Sequence, residues 1–274
     1  MTRELPVELP AGYVEFYMDL ENWQNQEVTR LRKFFNPEKV DLLKRILQQK
    51  RPLLEQVKVE FDPLLIRESY HRFLEFLTDR RPDLADSLGS LITNLESLDL
   101  TQLVTPAWEI DQGFAEMQAE QFGLNQDLML FTSDFALRTF LRVISESYRN
   151  ELVDERFFWE FPNTCPVCGS KSYISRLKSD DGQRFMFCDR CFSEWKVRYL
   201  ACVYCGHDKP GDINILKIDD DPNFRIYVCE RCKGYLKTYD ERTAGTPTDL
   251  FIANKETVYL DILARDYGYS THDD

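Results

Sequence analysis

The cysteines constrain this chain more than any other feature of its sequence. All eight lie within about one quarter of the 274 residues, and each is three positions away from a partner. The four Cys-x-x-Cys pairs are Cys165/Cys168, Cys188/Cys191, Cys202/Cys205 and Cys229/Cys232. A random distribution would not confine every cysteine to paired positions in one region, so the spacing indicates a chemical role.

A Cys-x-x-Cys pair that ends in a tight turn can place two thiolates on one metal ion. Pro166 fixes a backbone φ angle within the first pair, and Gly169 and Gly206 can adopt the left-handed conformation that closes such a loop. Two pairs complete a tetrahedral shell of four sulfurs, the geometry of structural zinc or of a rubredoxin-like iron. We therefore predict two bound metal ions, iron or zinc, between which the spacing does not choose.

The sequence around the pairs repeats, and the repeat assigns the cysteines to two sites. Residues 165–199 and 202–239 each contain a Cys-x-x-Cys-Gly segment, a predicted β-hairpin, a second pair with Arg at its third position, and an alternating run typical of a third strand. The predicted sites are Cys165, Cys168, Cys188 and Cys191 for the first, and Cys202, Cys205, Cys229 and Cys232 for the second. A cross-braced arrangement, in which the first pair shares an ion with the third, is an alternative.

Disulfides and redox-active dithiols are competing uses of the cysteines. Residues 1–20 contain Glu4 and Glu8 and lack the apolar run of a signal peptide, so we expect a cytoplasmic protein with reduced thiols. A redox-active pair usually lies at a helix N-terminus in a βαβ setting, whereas these pairs flank predicted hairpins. We also expect no membrane insertion, because no segment approaches 18 consecutive apolar residues.

The charge of the chain bears on its partners. Its 47 acidic residues outnumber its 34 Lys and Arg residues, which gives a net charge of −13. The basic stripe that a phosphate backbone requires is not apparent in the sequence, so we do not expect nucleic-acid binding. A zinc-ribbon protein that binds nucleic acid is nevertheless the main alternative function, and a general scaffold protein is another.

The remainder of the chain shows helical periodicity. Residues 1–35 are expected to form an irregular arm, and the first helix is expected to begin at Asn36. Further helices are predicted at 53–61, from the cap-then-proline start Asp62-Pro63 to the residue before Arg81, and at 108–122, 126–152 and 249–267. We predict an α+β fold with a helical bundle at 1–160, a first ribbon module with four cysteine ligands at 161–200, a second such module at 201–242, and a linker with a C-terminal helix at 243–274.

None of the three histidines completes a catalytic motif. His71 is expected at the surface or boundary of a helix. His272 lies in an acidic tail, and its position there indicates no function. His207 follows a cysteine pair, but four thiolates already fill each predicted shell, so we expect it beside the site or at the surface. Because the chain also lacks a phosphate-binding loop, a nucleophile elbow and a His-Glu-x-x-His helix, we predict that it is not an enzyme.

The residues around the cysteines resemble those of the formate dehydrogenase accessory protein FdhE family. The resemblance covers about residues 160–270 and joins the four pairs to residues that are not ligands. These are Cys-Pro-Val-Cys-Gly-Ser at 165–170, Glu194-Trp195, Tyr235-Leu236-Lys237, Asp249-Leu250, Tyr259-Leu260-Asp261 and Tyr267-Gly268-Tyr269.

The resemblance implies a non-catalytic, cytoplasmic maturation factor for respiratory formate dehydrogenase. The partner would be the catalytic subunit of that enzyme, and the eight cysteines would bind iron in rubredoxin-like fashion. The sequence does not determine the oligomeric state, for which a homodimer is one alternative.

Overall fold

The computed structural model describes residues 9–36, 42–218 and 221–273. The helices are α1 (Tyr13–Leu31), α2 (Leu42–Gln49), α3 (Pro63–Arg80), α4 (Ala85–Asn94), α5 (Leu100–Leu103), α6 (Gln112–Phe122), α7 (Gln126–Glu146), α8 (Arg149–Leu152), α9 (Glu241–Ala244), α10 (Leu250–Glu256) and α11 (Val258–Asp266). The strands are β1 (Ile174–Leu177), β2 (Arg184–Phe187), β3 (Glu194–Val197), β4 (Ile213–Lys217), β5 (Phe224–Cys229) and β6 (Tyr235–Asp240). The predicted α+β fold class is confirmed, because helices precede a sheet that carries two groups of four cysteines.

The irregular arm predicted for residues 1–35 is wrong over most of its described part, where α1 forms. Two polar residues on the buried side of α1, Gln24 and Glu27, hide its apolar periodicity. Both have partners: Gln24 Nε2 donates to the carbonyl oxygen of Phe135 (3.4 Å), and Glu27 pairs with Arg30 (2.6 Å) and Arg72 (3.1 Å). Tertiary partners thus make these buried polar groups tolerable in a helix that pattern analysis overlooks.

Several predicted helix boundaries also differ from the structure. The helix expected from residue 108 begins only at Gln112, because the Asp111 side chain accepts the N–H of Phe114 and caps it there. The segment 53–61 contains a single 3₁₀ turn at Leu53–Glu55. The helix start predicted at Asn36 falls largely on residues 37–41, which lie outside the described residues.

Two long predicted helices are interrupted. The helix expected over 126–152 is split into α7 and α8. The helix expected over 249–267 is split into α10 and α11 at Thr257, whose hydroxyl donates to the Ala253 carbonyl oxygen (2.7 Å). Such a bond within a helix competes with the backbone ladder and bends the chain.

The two predicted hairpins, each with its third strand, join in one six-stranded sheet. The strand order is β3-β2-β1-β6-β5-β4, and neighbours are antiparallel except for β1 and β6, which are parallel. Ser175 and Thr238 share a hydrogen bond across this parallel pair (2.9 Å). The sequence repeat therefore forms two halves of one sheet.

Two hydrophobic clusters pack around the sheet. The first joins residues of β1, β2, β5 and β6 to α10 and α11 and to several N-terminal helices. The second lies between the helices and the cysteine loops, and it includes Cys165, Cys168, Cys188 and Cys191. One group of cysteines is therefore part of a core that the helices share. Within the described residues, no helix combines the length and apolar character needed to span a membrane.

Candidate metal centres

The four Cys-x-x-Cys loops have the same backbone geometry. In each loop the N–H of the residue four positions after the first cysteine donates to the carbonyl oxygen of that cysteine, at 2.8–3.0 Å. Those four residues all have positive φ angles: Gly169 (81°), Phe192 (60°), Gly206 (70°) and Lys233 (60°). The left-handed turns predicted at the two glycines are present, and the other two loops adopt them without glycine.

The loops bring the cysteines together in two sequential quartets. Quartet 1 contains Cys165, Cys168, Cys188 and Cys191, and quartet 2 contains Cys202, Cys205, Cys229 and Cys232. Within each quartet every sulfur lies within 4.8 Å of the others. The cross-braced alternative is not the arrangement in the structure.

The spacing of the sulfurs fits a tetrahedral ion. The shortest Sγ–Sγ distances are 3.5 and 3.6 Å in quartet 1, and 3.5 and 3.8 Å in quartet 2. Zinc–sulfur bonds of about 2.3 Å require about 3.8 Å between sulfurs at tetrahedral corners. A disulfide needs about 2.05 Å, and all eight cysteines are free. The geometry therefore provides two groups that could each hold a metal ion, and it does not distinguish iron from zinc.

Quartet 1 is buried where the sheet meets the helices. The backbone N–H groups of Leu53 and Leu54 donate to the carbonyl oxygens of Pro166 (2.8 Å) and Val167 (3.0 Å), inside the first cysteine loop. On the opposite loop, Ser145 Oγ donates to the Cys191 carbonyl oxygen (2.5 Å). Helical segments thus hold both loops of quartet 1 in place. Sequence reasoning missed these contacts, because they join residues more than 40 positions apart and leave no local signal.

Charged and polar groups also surround quartet 1. Arg190, between two of its cysteines, pairs with Asp134 (2.7 Å) and donates to the Trp108 carbonyl oxygen (2.9 Å). Two serine hydroxyls lie beside the sulfurs, Ser170 at 3.4 Å from Cys168 and Ser193 at 3.1 Å from Cys191. A cation and hydroxyl groups near the sulfurs favour their thiolate form.

The thiols of quartet 1 differ in acidity. Burial raises the pKa values of Cys165 and Cys188 well above the ordinary value. Hydrogen bonds from the three neighbouring cysteines lower the pKa of Cys168 well below it. Because metal ligands must be thiolates, loading the quartet with a metal ion would release the protons that its thiols carry.

Quartet 2 lies closer to solvent. Cys205 is exposed and Cys232 is partly exposed, and the pair Cys202 and Cys205 borders an open groove of about 340 Å³. Burial raises the pKa of Cys232 to about 11. For Cys229 burial acts in the same direction, but backbone N–H groups of the same loop outweigh it and lower the pKa. The two quartets thus share ligands and loop geometry but differ in access to water.

The histidines lie outside both quartets. His207 contacts Asp212 through one ring nitrogen and Arg231 through the other (3.1 Å), so it is adjacent to quartet 2 without joining it. His71 is half-exposed and lies 3.6 Å from Glu75. His272 packs edge-on against the Tyr204 ring.

Known proteins resemble this chain in sequence and in fold. Residues 164–197 match the family model described as FdhE, central domain. A protein named FdhE homolog from Aquifex aeolicus is 24% identical over 222 residues, which cover 80% of this chain and 71% of that protein. Its namesake from Haemophilus ducreyi is 36% identical over 84 residues, or 29% of this chain and 27% of that protein.

The resemblance extends to a solved structure. The crystal structure of the FdhE protein from Pseudomonas aeruginosa aligns with 94% of this chain and 87% of that chain, with a TM-score of 0.58 and 20% sequence identity. At this identity the alignment shows a shared fold. Against an FdhE homolog from Haemophilus influenzae, the chain spans 62% of the relative's length. The family model, the curated relatives and the solved structure together confirm the predicted resemblance of this chain to the FdhE family.

Proposed function

We propose that this chain is a non-catalytic accessory protein in the maturation of formate dehydrogenase. In this proposal it binds the catalytic subunit of that enzyme and holds two metal ions, one in each quartet. The observation that carries the proposal is the pair of preorganised sulfur quartets in a chain that resembles the FdhE family. The four-part domain division and the cytoplasmic location remain predictions that belong to the same proposal.

The sulfur ligands define what the ions would contribute. Bound iron would supply one-electron redox chemistry at a tetrathiolate site, whereas zinc would supply only a structural cross-link. The chain itself supplies the eight thiols, the left-handed loops that aim them, and the helical contacts that cover quartet 1. Its net charge of −13 supports a protein partner over a nucleic acid.

Metal content tests the first half of the proposal. Protein purified without oxygen should contain two metal equivalents per chain, and its visible absorption spectrum should distinguish coloured iron sites from colourless zinc sites. Cys168→Ser and Cys205→Ser should each lose one equivalent, while the control His71→Ala, at a half-exposed position outside both quartets, should keep two. Full metal content in either serine variant would contradict the ligand assignment.

Client binding tests the second half. Affinity-tagged protein should retain a co-expressed formate dehydrogenase catalytic subunit, and an unrelated acidic protein of similar size serves as the control bait. Reproducible failure to retain the subunit would contradict the accessory role. It would leave the metal sites themselves unaffected.

A further inference from the structure

Arg184, the first residue of β2, is a buried cation that has no carboxylate partner among the described residues. Its side chain is almost completely buried, at 1% exposure. Its Nε and Nη2 atoms donate no hydrogen bond to any residue that the structure describes. Burying a guanidinium in this way is costly unless an opposite charge lies nearby.

Other buried basic side chains of the same sheet have carboxylate partners. Arg176 on β1 pairs with Glu241 at 2.9 Å, and Lys237 on β6 pairs with Asp261 at 2.8 Å. In the described part of the chain, Arg184 has no carboxylate within ion-pair distance. Its guanidinium carbon lies 3.9 Å from the centre of the Tyr227 ring. Burial lowers the pKa of Arg184, and the Tyr227 and Tyr199 side chains, which act in the opposite direction, offset only part of that cost.

The residues around Arg184 indicate which negatively charged group could balance its guanidinium. Arg184 lines a cavity of about 10 Å³ whose other lining residues include Cys202 and Cys229 of quartet 2. This volume suffices for a single water molecule. A tetrathiolate site remains negatively charged after it binds a divalent or trivalent ion. The buried guanidinium therefore borders the same small cavity as two ligands of quartet 2, a site whose negative charge depends on metal loading.

We propose that Arg184 is the counter-cation of metal-loaded quartet 2. A residue of the first hairpin thus stabilises metal binding by the second half of the repeat. The inference rests on the proposed metal binding at quartet 2 and adds a residue that is not a ligand. Quartet 1 differs, because Arg190 beside it is already paired with Asp134.

Arg184→Met tests the proposal, because Met keeps much of the apolar bulk and removes the charge. Zinc affinity is measured by competition with a chromophoric chelator, and the phase that is missing in Cys205→Ser identifies quartet 2. We expect zinc binding at quartet 2 to weaken about tenfold, since the variant removes one unit of compensating charge from the border of that site. Binding at quartet 1 should stay unchanged. Arg184→Lys should retain most of the wild-type affinity, and Arg198→Met, at an exposed arginine, should match the wild type.

The thermal stability of the metal-free protein provides a second test, because Arg184→Met should not lower it. Since Met removes a buried charge that no ion compensates, the thermal midpoint of metal-free Arg184→Met should equal or exceed that of the wild type, while the rise on adding zinc should shrink. If the metal-free and loaded forms are destabilised equally, Arg184 only packs, and the proposal is wrong. Arg184→Gln replaces Arg184→Met if the latter does not fold.

Two other outcomes are informative. If replacing chloride by a bulky anion lowers wild-type stability and leaves Arg184→Met unchanged, a halide in the cavity compensates the guanidinium, and the proposal fails. If wild-type protein binds no metal at quartet 2, the proposed function itself fails. Metal binding at quartet 2 that is identical in wild type and Arg184→Met overturns the present inference alone.

Discussion

The two quartets should contribute very differently to the stability of the whole chain, and a matched pair of substitutions measures this difference. Cys168 and Cys205 hold equivalent positions in the repeat, since each is the second cysteine of its half and precedes a glycine with a left-handed φ angle. Cys168 is 3% exposed and lies in a core cluster shared with the helices, whereas Cys205 is exposed. Cys168→Ser and Cys205→Ser therefore remove the same ligand from two environments.

The expected magnitudes follow from what each ion would support. Structural zinc contributes about 10–16 kcal/mol to small modules, which is comparable to the total stability of about 5–15 kcal/mol of a typical domain. Losing the ion at quartet 1 also leaves three buried thiols in the core against Leu53 and Leu54. At roughly 2–4 °C per kcal/mol, Cys168→Ser should lower the thermal midpoint of the helices by roughly 20 °C or more.

Cys205→Ser should have a smaller and more local effect. The strands β5 and β6 keep Ile226, Val228 and Tyr235 packed against the helices without any contribution from the ion. We therefore expect the helical transition to move by less than half of the shift in Cys168→Ser. Circular dichroism at 222 nm follows the helices, and metal analysis confirms the loss of one equivalent in each variant. Equal shifts of the helical transition would refute the reasoning.

Three further predictions concern the rest of the chain. Burial and the neighbouring Asp249 raise the pKa of Glu21 to about 8. Because this pKa is raised, protonated Glu21 stabilises the folded state fully below the unfolded pKa of about 4.3, and that stabilisation is lost as pH rises through the folded pKa of about 8. Between pH 5 and 8.5 the urea midpoint of Glu21→Gln should therefore decline less than that of the wild type. Parallel curves would contradict this. Leu54→Ala should cost about 2–5 kcal/mol in denaturant unfolding and accelerate metal release from quartet 1, and unchanged release would separate Leu54 from that site. Asp240→Asn should cost about 1–3 kcal/mol, because fully buried Asp240 pairs with the partly exposed Arg225 (2.7 Å) and Arg242 (2.9 Å), and a loss below about 0.5 kcal/mol would show that these pairs are dispensable.

The features that could be predicted from the sequence are those determined by neighbouring residues. Each cysteine loop closes through hydrogen bonds between residues four or five positions apart, and each hairpin connects strands that are close in the chain. The cap at Asp62 followed by Pro63 likewise starts α3 where the pattern places it. Such local chemistry is visible in a single sequence.

The features that could not be predicted depend on distant partners. The helix α1 is disguised by Glu27, a buried acid whose second carboxylate oxygen is paired by Arg72, from the distant helix α3, in addition to its pair with Arg30. The parallel pairing of β1 with β6 joins residues about 63 positions apart, as in Ser175 with Thr238. Neither contact leaves a periodic signal, because each is set by how complete elements pack.

The unequal environment of the quartets follows from the same distinction. The repeat gives both halves the same ligand spacing and the same loop turns, so sequence alone predicts two equivalent sites. Leu53 and Leu54 come from a segment more than 100 positions before the cysteines, yet their N–H groups close over the first loop. In quartet 2 the corresponding loop residue Cys205 is left facing solvent. An exposed ligand can exchange with water or a chelator while a buried one requires the helices to move, so zinc should leave quartet 2 first when a chelator is added, and simultaneous release from both quartets would show that helical cover does not control access.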